Sequence, residues 1–285
     1  MQTIDPLNYC VVKIQSYFNE EKVAKATGFF YSGTVDSKHT LWLVTNWHVL
    51  AGRNASKPEI VLHSHGAIPN RIQLQVPSRI GGDGEVHDRE LVFYEIFVEL
   101  FDSNGLAMWH QHPSKHEVDI GVVNLGQALD GHLVRGINEV CSEHDMAVEI
   151  GNEVFILGYP LGFSHFANTP IWKRGSIASE PHAETAESRN RIVIDATTRK
   201  GMSGSPVVMR SKTHYVTESG QIVQKANGSR FIGVYASRPA PEREPTNDEI
   251  EAGFLGHEIG YVFKSGCLVE VITRAVRGPQ FGEPS

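Results

Sequence analysis

Cysteine is scarce in this chain. Cys10, Cys141 and Cys267 are an odd three in 285 residues, far apart, and they make neither a disulfide framework nor a metal-ligand spacing. Reduced thiols in a cytoplasmic protein are the simplest expectation they support. No apolar run is long enough to cross a bilayer, so no membrane partner is expected. The first residues, Met1-Gln2-Thr3-Ile4-Asp5-Pro6, have neither a basic region nor an apolar core, and no secretion signal is expected there. An excess of basic charge is missing as well. Lys and Arg number 26 against 33 Asp and Glu, a net charge of −7, which argues against nucleic acid as the main partner. Histidines are plentiful, but His63 and His65, or His110, His112 and His116, come with no carboxylate or cysteine spacing that selects an ion. No metal and no organic cofactor is expected.

What remains is an ordinary globular composition, 40% hydrophobic and 21% charged, long enough for one large all-β unit or two smaller barrels. Strand patterns dominate. Tyr9 to Phe18 alternates, with Cys10, Val12 and Ile14 facing a core, and residues 20–26 read as a polar turn. Gly28 to Val35 and Leu41 to His48 read as a hairpin. Arg71 to Val76 has a clean period of two. Val92 to Phe101 and Leu106 to His110 flank Asp102-Ser103-Asn104-Gly105, a strong hairpin turn. Residues 126–143 read as a connector. Beyond it, Val154 to Gly158, Arg191 to Ala196, Pro206 to Met209, Arg230 to Ser237 and Gly260 to Lys264 are strand-like, and Leu268 to Arg277 has helical periodicity. Gly- or Pro-rich loops are expected at 81–84, 158–167 and 238–251, with a polar loop at 180–190.

The most informative stretch is Gly201-Met202-Ser203-Gly204-Ser205-Pro206. Glycines on both sides of Ser203 let the backbone fold tightly behind its hydroxyl. In that fold the amides of Gly201 and Ser203 can point at one spot, where a developing oxyanion would sit. A serine hydroxyl is a weak nucleophile and needs a base, and the base needs a partner to orient it. Two upstream segments offer candidates: Leu41-Trp42-Leu43-Val44-Thr45-Asn46-Trp47-His48, and Val118-Asp119-Ile120-Gly121 at the head of another apolar strand.

The order His48, Asp119, Ser203, each in a β context, resembles the trypsin-like serine peptidases of the chymotrypsin fold, closest to the bacterial HtrA-like branch. Thr27-Gly28-Phe29-Phe30 is similar to the G-x-G-F opening strand of that family, with Ala26 in place of its first glycine. Val44 to Val49 is similar to its LVTNxHV block, Gly158-Tyr159-Pro160-Leu161-Gly162 to its GxPxG loop, and Gly175-Ser176-Ile177 to its G-x-I strand. The resemblance implies an all-β fold of two Greek-key β-barrels (chymotrypsin-like) with a C-terminal helix. Residues 1–130 would be the N-terminal barrel carrying His48 and Asp119, and 131–285 the C-terminal barrel carrying Ser203. It implies a serine endopeptidase that cleaves a protein or peptide substrate, with Ser203 as nucleophile, His48 as base, Asp119 orienting it, and Gly201 and Ser203 as oxyanion-hole donors. By the same resemblance Thr197 and Thr198 lie at the base of the primary specificity pocket, Tyr235, Ala236 and Ser237 line a wall, and Gly260 lies near the back. No PDZ-like segment is expected after the second barrel. The rival expectation is a catalytically silent trypsin-like domain that binds peptides or serves as a scaffold. A viral-type processing protease would share the triad.

Overall fold

The computed structural model describes residues 4–35, 38–78, 92–165, 168–183, 185, 190–237, 258–274 and 276–281. The loops expected at 81–84 and 238–251, and parts of those at 158–167 and 180–190, lie outside the described residues. The first half supplies β1 (Val11–Phe18), β2 (Glu21–Val35), β3 (Lys38–Thr45), the short pair β4 (Arg53–Asn54) and β5 (Lys57–Val61), then β6 (Arg71–Ser78), β7 (Val92–Glu99), β8 (Trp109–Gln111) and β9 (Gly121–Gly126). The second half supplies β10 (Glu153–Gly158), β11 (Ile171–Ile177), β12 (Arg191–Asp195), β13 (Pro206–Arg210), the short pair β14 (His214–Val216) and β15 (Ile222–Gln224), β16 (Ser229–Tyr235) and β17 (Ile259–Lys264). A helix at Ser265–Arg274 and a final strand β18 (Val276–Arg277) follow. The fold is all-β with a terminal helix, as expected.

Every described pairing is antiparallel: neighbours such as β1 and β2 or β2 and β3 join through short turns, while β1 with β6, β3 with β9 and β12 with β17 pair across long connections. The first-half strands, with the C-terminal β18 added at one edge, are ordered β18-β8-β9-β3-β2-β1-β6-β7. Their inward residues, among them Val12, Ile14, Phe30, Leu43, Ile72 and Trp109, are buried in one core. In the second half β10-β11-β12-β17-β16-β13 close into a barrel around Val154, Ile156, Ile192, Ile194, Val207 and Val262. A further cluster joins residues of both halves, including Phe29, Val44, Leu157, Val208 and Leu268. The terminal helix contributes Cys267, Leu268 and Val271 to it, one face at helical spacing. That shared core holds the two halves in fixed register, with the chain's chemistry-bearing loops between them.

Several boundaries differ from the sequence reading. The strand expected from Tyr9 starts at Val11, because Asp5 caps a 3-10 segment over Pro6–Cys10. The strand expected to reach His48 ends at Thr45, and His48 lies in the helix that follows. The strand expected over Leu106–His110 is confined to Trp109–Gln111, the residues that pair with β9. Residues 21–26, expected as a turn, are strand: β2 starts at Glu21 and pairs with β1 from Phe18↔Glu21 through Val11↔Phe29. Lys22 and Lys25 are exposed there and the neighbouring β1 supplies the backbone partners, so pairing overrides polar composition. The helix expected to run to Arg277 ends at Arg274, and Val276 and Arg277 pair with Gln111 and His110 of β8.

Candidate active site

His48 sits in the first turn of a five-residue helix, Trp47–Ala51, that begins directly after β3. Trp47 and Leu50 are buried and anchor the helix, while the His48 side chain is largely buried, 18% exposed. Asp119 lies in the turn between a 3-10 segment, Lys115–Glu117, and β9. Asn46 fixes that turn by donating from Nδ2 to the Asp119 carbonyl at 2.7 Å. The Asp119 carboxylate then grips His48 twice. Oδ1 accepts the His48 backbone N–H at 2.9 Å, and Oδ2 lies 2.7 Å from His48 Nδ1. A carboxylate only accepts, so Nδ1 carries the ring proton and Nε2 keeps its lone pair.

Burial of the His48 ring works to lower its pKa, but the Asp119 charge and hydrogen bond outweigh it and hold the imidazole above its ordinary value. The ring must be neutral to take a proton. The acid limb of kcat/KM is therefore expected above about pH 6.5, the usual imidazole value. A pH–rate profile checks this, and a limb below the ordinary value contradicts it.

Ser203 is held in the loop between β12 and β13. Gly201 has φ 94° and Gly204 has φ 83°, conformations that side chains with a Cβ rarely adopt. The loop is tied to the first half through Thr27. Thr27 N–H donates to the Ser203 carbonyl at 2.9 Å, and its hydroxyl donates to the Gly201 carbonyl at 2.7 Å. Thr45, three residues before His48, donates from its hydroxyl to the Thr27 carbonyl at 2.8 Å. A short chain of bonds thus links the serine loop to the strand that delivers His48. No hydrogen bond joins Ser203 to His48 among the described residues; such contacts often tighten only when substrate is bound.

Gly204 is packed where no side chain fits. A Cβ there would lie 2.2 Å from the Thr27 carbonyl oxygen and 2.3 Å from the Thr45 hydroxyl. Gly204→Ala is expected to cost at least about 2 kcal/mol, from the left-handed backbone together with the clash. A shift of the denaturant midpoint measures it, and an unchanged midpoint contradicts this packing.

Ser205, the neighbouring hydroxyl, is fully buried and its Oγ has no hydrogen-bond partner among the described residues. It packs on Gly158, where an added Cβ would come within 2.2 Å of it. Ser203 is half-buried and reachable; Ser205 is not. The thiols are no rivals either. Cys10, Cys141 and Cys267 are free and buried, and burial pushes Cys141 up to about 12 and Cys267 up to about 11, which keeps them protonated.

The backbone N–H groups of Gly201 and Ser203 have no intramolecular acceptor among the described residues, whereas their neighbours are satisfied: Met202 N–H donates to the Arg199 carbonyl and Gly204 N–H to the Tyr235 carbonyl. Met202 is fully buried in the second barrel's core. The loop Pro160–Gly162 braces the same region from behind, with Leu161 N–H donating to the Lys200 carbonyl at 2.6 Å.

The residues expected around the specificity pocket also come together. The hydroxyls of Thr198 and Tyr235 are 2.6 Å apart, and a Cβ on Gly260 would strike the Tyr235 ring at 2.5 Å. Ala236 and Ser237 bond through their backbones to Tyr261 of β17. Thr197 donates from its hydroxyl to Glu258 Oε2 at 2.6 Å. Glu258 was not singled out from the sequence, because it follows a long polar segment with no pattern of its own. Thr27 and Asn46 were likewise missed as supports of the site, although both lie inside the blocks that were recognised.

A family model described as the trypsin-like peptidase domain matches residues 26–215, which takes in His48, Asp119 and Ser203. The chain belongs to the trypsin-like peptidase family. Its strand arrangement, a closed six-stranded barrel beside a large antiparallel sheet, suits the two-barrel fold of that family. Among solved structures, this trypsin-like chain is similar to the active form of the Rv3671c protease from M. tuberculosis, at 16% identity and a TM-score of 0.44, covering 96% of this chain and 84% of that one. It is also similar to the HtrA-type protease AlgW with a tripeptide, at 14% identity and a TM-score of 0.46, covering 94% of this chain and 62% of that one. No curated protein matches the sequence at a significant level.

Proposed function

We propose that the chain is a serine endopeptidase that hydrolyses peptide bonds through an acyl-enzyme. Ser203 Oγ attacks the scissile carbonyl carbon while His48 Nε2 takes its proton. The tetrahedral oxyanion is met by the N–H groups of Gly201 and Ser203. His48 then returns the proton to the leaving amine, and the acyl-serine forms. Water, activated by the same imidazole, releases the second product and restores the serine. Asp119 holds the ring with Nδ1 protonated and stabilises the charged imidazole while it holds the proton. The observation that carries this reading is the double grip of Asp119 on His48, 2.9 Å to the backbone and 2.7 Å to the ring. It fixes both the position and the tautomer of a base, and a merely structural histidine needs neither. Preorganised amides such as those of Gly201 and Ser203 are worth roughly 3–4 kcal/mol per donor in related enzymes.

In the pocket, the Thr198 hydroxyl is engaged by Tyr235 and that of Thr197 by Glu258, and we propose that it takes uncharged residues of small to medium size before the scissile bond. The test is cleavage of a quenched-fluorescence peptide library by the purified chain. Cleavage with such a preference supports the proposal. A profile dominated by Arg or Lys overturns the preference, and points to the exposed Glu258 carboxylate as their counter-charge. No cleavage of any member, with a folded chain, favours the silent peptide-binding domain.

A further inference from the structure

We infer that Glu21, His63 and His65 form a binding site for a borderline divalent transition-metal ion of the zinc type. The three come from two separate segments. Glu21 is the first residue of β2, just after the turn from β1, and the histidines lie in the loop that follows β5. One potential ligand atom of each lies within 4.8 Å of the others. Glu21 Oε1 is 3.8 Å from His63 Nε2 and 3.9 Å from His65 Nδ1, and the two imidazole rings stand edge to face at 5.5 Å between centroids.

Two imidazoles and one carboxylate are a donor set that suits zinc, with a fourth position left to water; calcium and magnesium prefer oxygen alone. A tetrahedral ion with bonds of about 2.0–2.1 Å holds its ligand atoms roughly 3.4 Å apart, so the Glu21–histidine pairs, at 3.8 and 3.9 Å, must close by about half an ångström and no pair, all lying within 4.8 Å, by more than about 1.4 Å. The side chains that must move are free to do so. Glu21 and His65 are exposed, while His63 is largely buried and serves as the fixed corner. His63 Nδ1 is buried without a hydrogen-bond partner among the described residues, so no outer carboxylate or carbonyl strengthens this ligand. That omission weakens metal affinity, by about 10–100-fold in well-studied sites, and marks the ion as exchangeable and not permanently held.

The position gives the ion a mechanical role. Leu62 N–H, beside His63, donates to the Gly52 carbonyl at 2.9 Å, and Gly52 N–H donates to the His48 carbonyl at 3.0 Å. Gly52 is the left-handed residue that ends the His48 helix. An ion on Glu21, His63 and His65 would therefore pin the β1–β2 turn to a loop anchored on the end of that helix.

The experiment is isothermal titration of Zn²⁺ into the tag-free chain, with thermal melting at each occupancy, for the natural sequence, Glu21→Gln and His65→Ala. Both substituted side chains are exposed, so the ion-free melting temperatures are expected to match. The natural chain should take up one ion at this site and melt higher with it, since a ligand bound only to the folded state stabilises it. Each variant should lose about tenfold or more in affinity, with most of the thermal shift. Magnesium at equal concentration should give no shift. Zinc uptake and stabilisation unchanged in both variants would overturn the inference by placing the ion elsewhere, for example at His48 and Asp119. Absence of uptake by the natural chain would overturn it outright.

Discussion

Ser203→Ala is expected to lower peptide hydrolysis by roughly 10⁶-fold, the loss seen when the nucleophile is removed from a working serine–histidine–aspartate set. The fold should survive. Ser203 is only half-buried, its carbonyl keeps the bond from Thr27 N–H whatever the side chain, and Gly201 and Gly204 still set the loop's turns. The residual rate should remain above that of water, because the amides of Gly201 and Ser203 are backbone groups and stay in place. Initial rates on the best library peptide, with circular dichroism to check folding, make the comparison. Ser205→Ala is the control: its hydroxyl is buried against Gly158, so its loss should leave the rate within a few-fold. If Ser205→Ala abolished activity and Ser203→Ala did not, the nucleophile would move by two residues.

Asp119→Asn is expected to lower kcat by roughly 10⁴-fold while leaving substrate binding nearly unchanged. The physical reason lies in the ring proton. The amide that replaces the carboxylate can turn its N–H₂ towards His48 Nδ1, which then becomes the acceptor and moves the proton to Nε2, where it blocks attack. The variant also loses the charge that raises the His48 pKa, so whatever acid limb remains should move to lower pH. A fall in kcat with no such movement would mean that Asp119 acts by holding the helix through the His48 backbone N–H alone.

The site was legible in the sequence where its geometry is dictated locally. Gly201 and Gly204 adopt left-handed backbone, and Gly204 has no room for a Cβ, so these residue types are forced and leave a readable pattern around Ser203. His48 and Asp119 were legible because each sits beside the end of an apolar strand, β3 or β9, and the pairing of those strands brings the two together. The supports were harder to see. Thr27 joins the Ser203 loop to the first half through bonds that span most of the chain, and nothing near Thr27 announces its partner. The start of β2 was hidden by exposed lysines, because pairing with β1 decides the matter and local composition does not. In β18 a two-residue strand pairs with the distant β8, a contact that periodicity over a short window cannot reveal. The cluster of Glu21 with His63 and His65 was invisible for the same reason, since its carboxylate comes from another strand.

One measurement addresses the central claim directly. The chain is treated with a fluorophosphonate, digested, and the modified residue is located by mass spectrometry. This reagent reacts with a serine only when a base activates its hydroxyl and an oxyanion hole receives the phosphoryl oxygen. The account predicts a single adduct on Ser203, lost in Ser203→Ala and strongly reduced in Asp119→Asn. No adduct on a folded chain, or an adduct on any other serine, would contradict it.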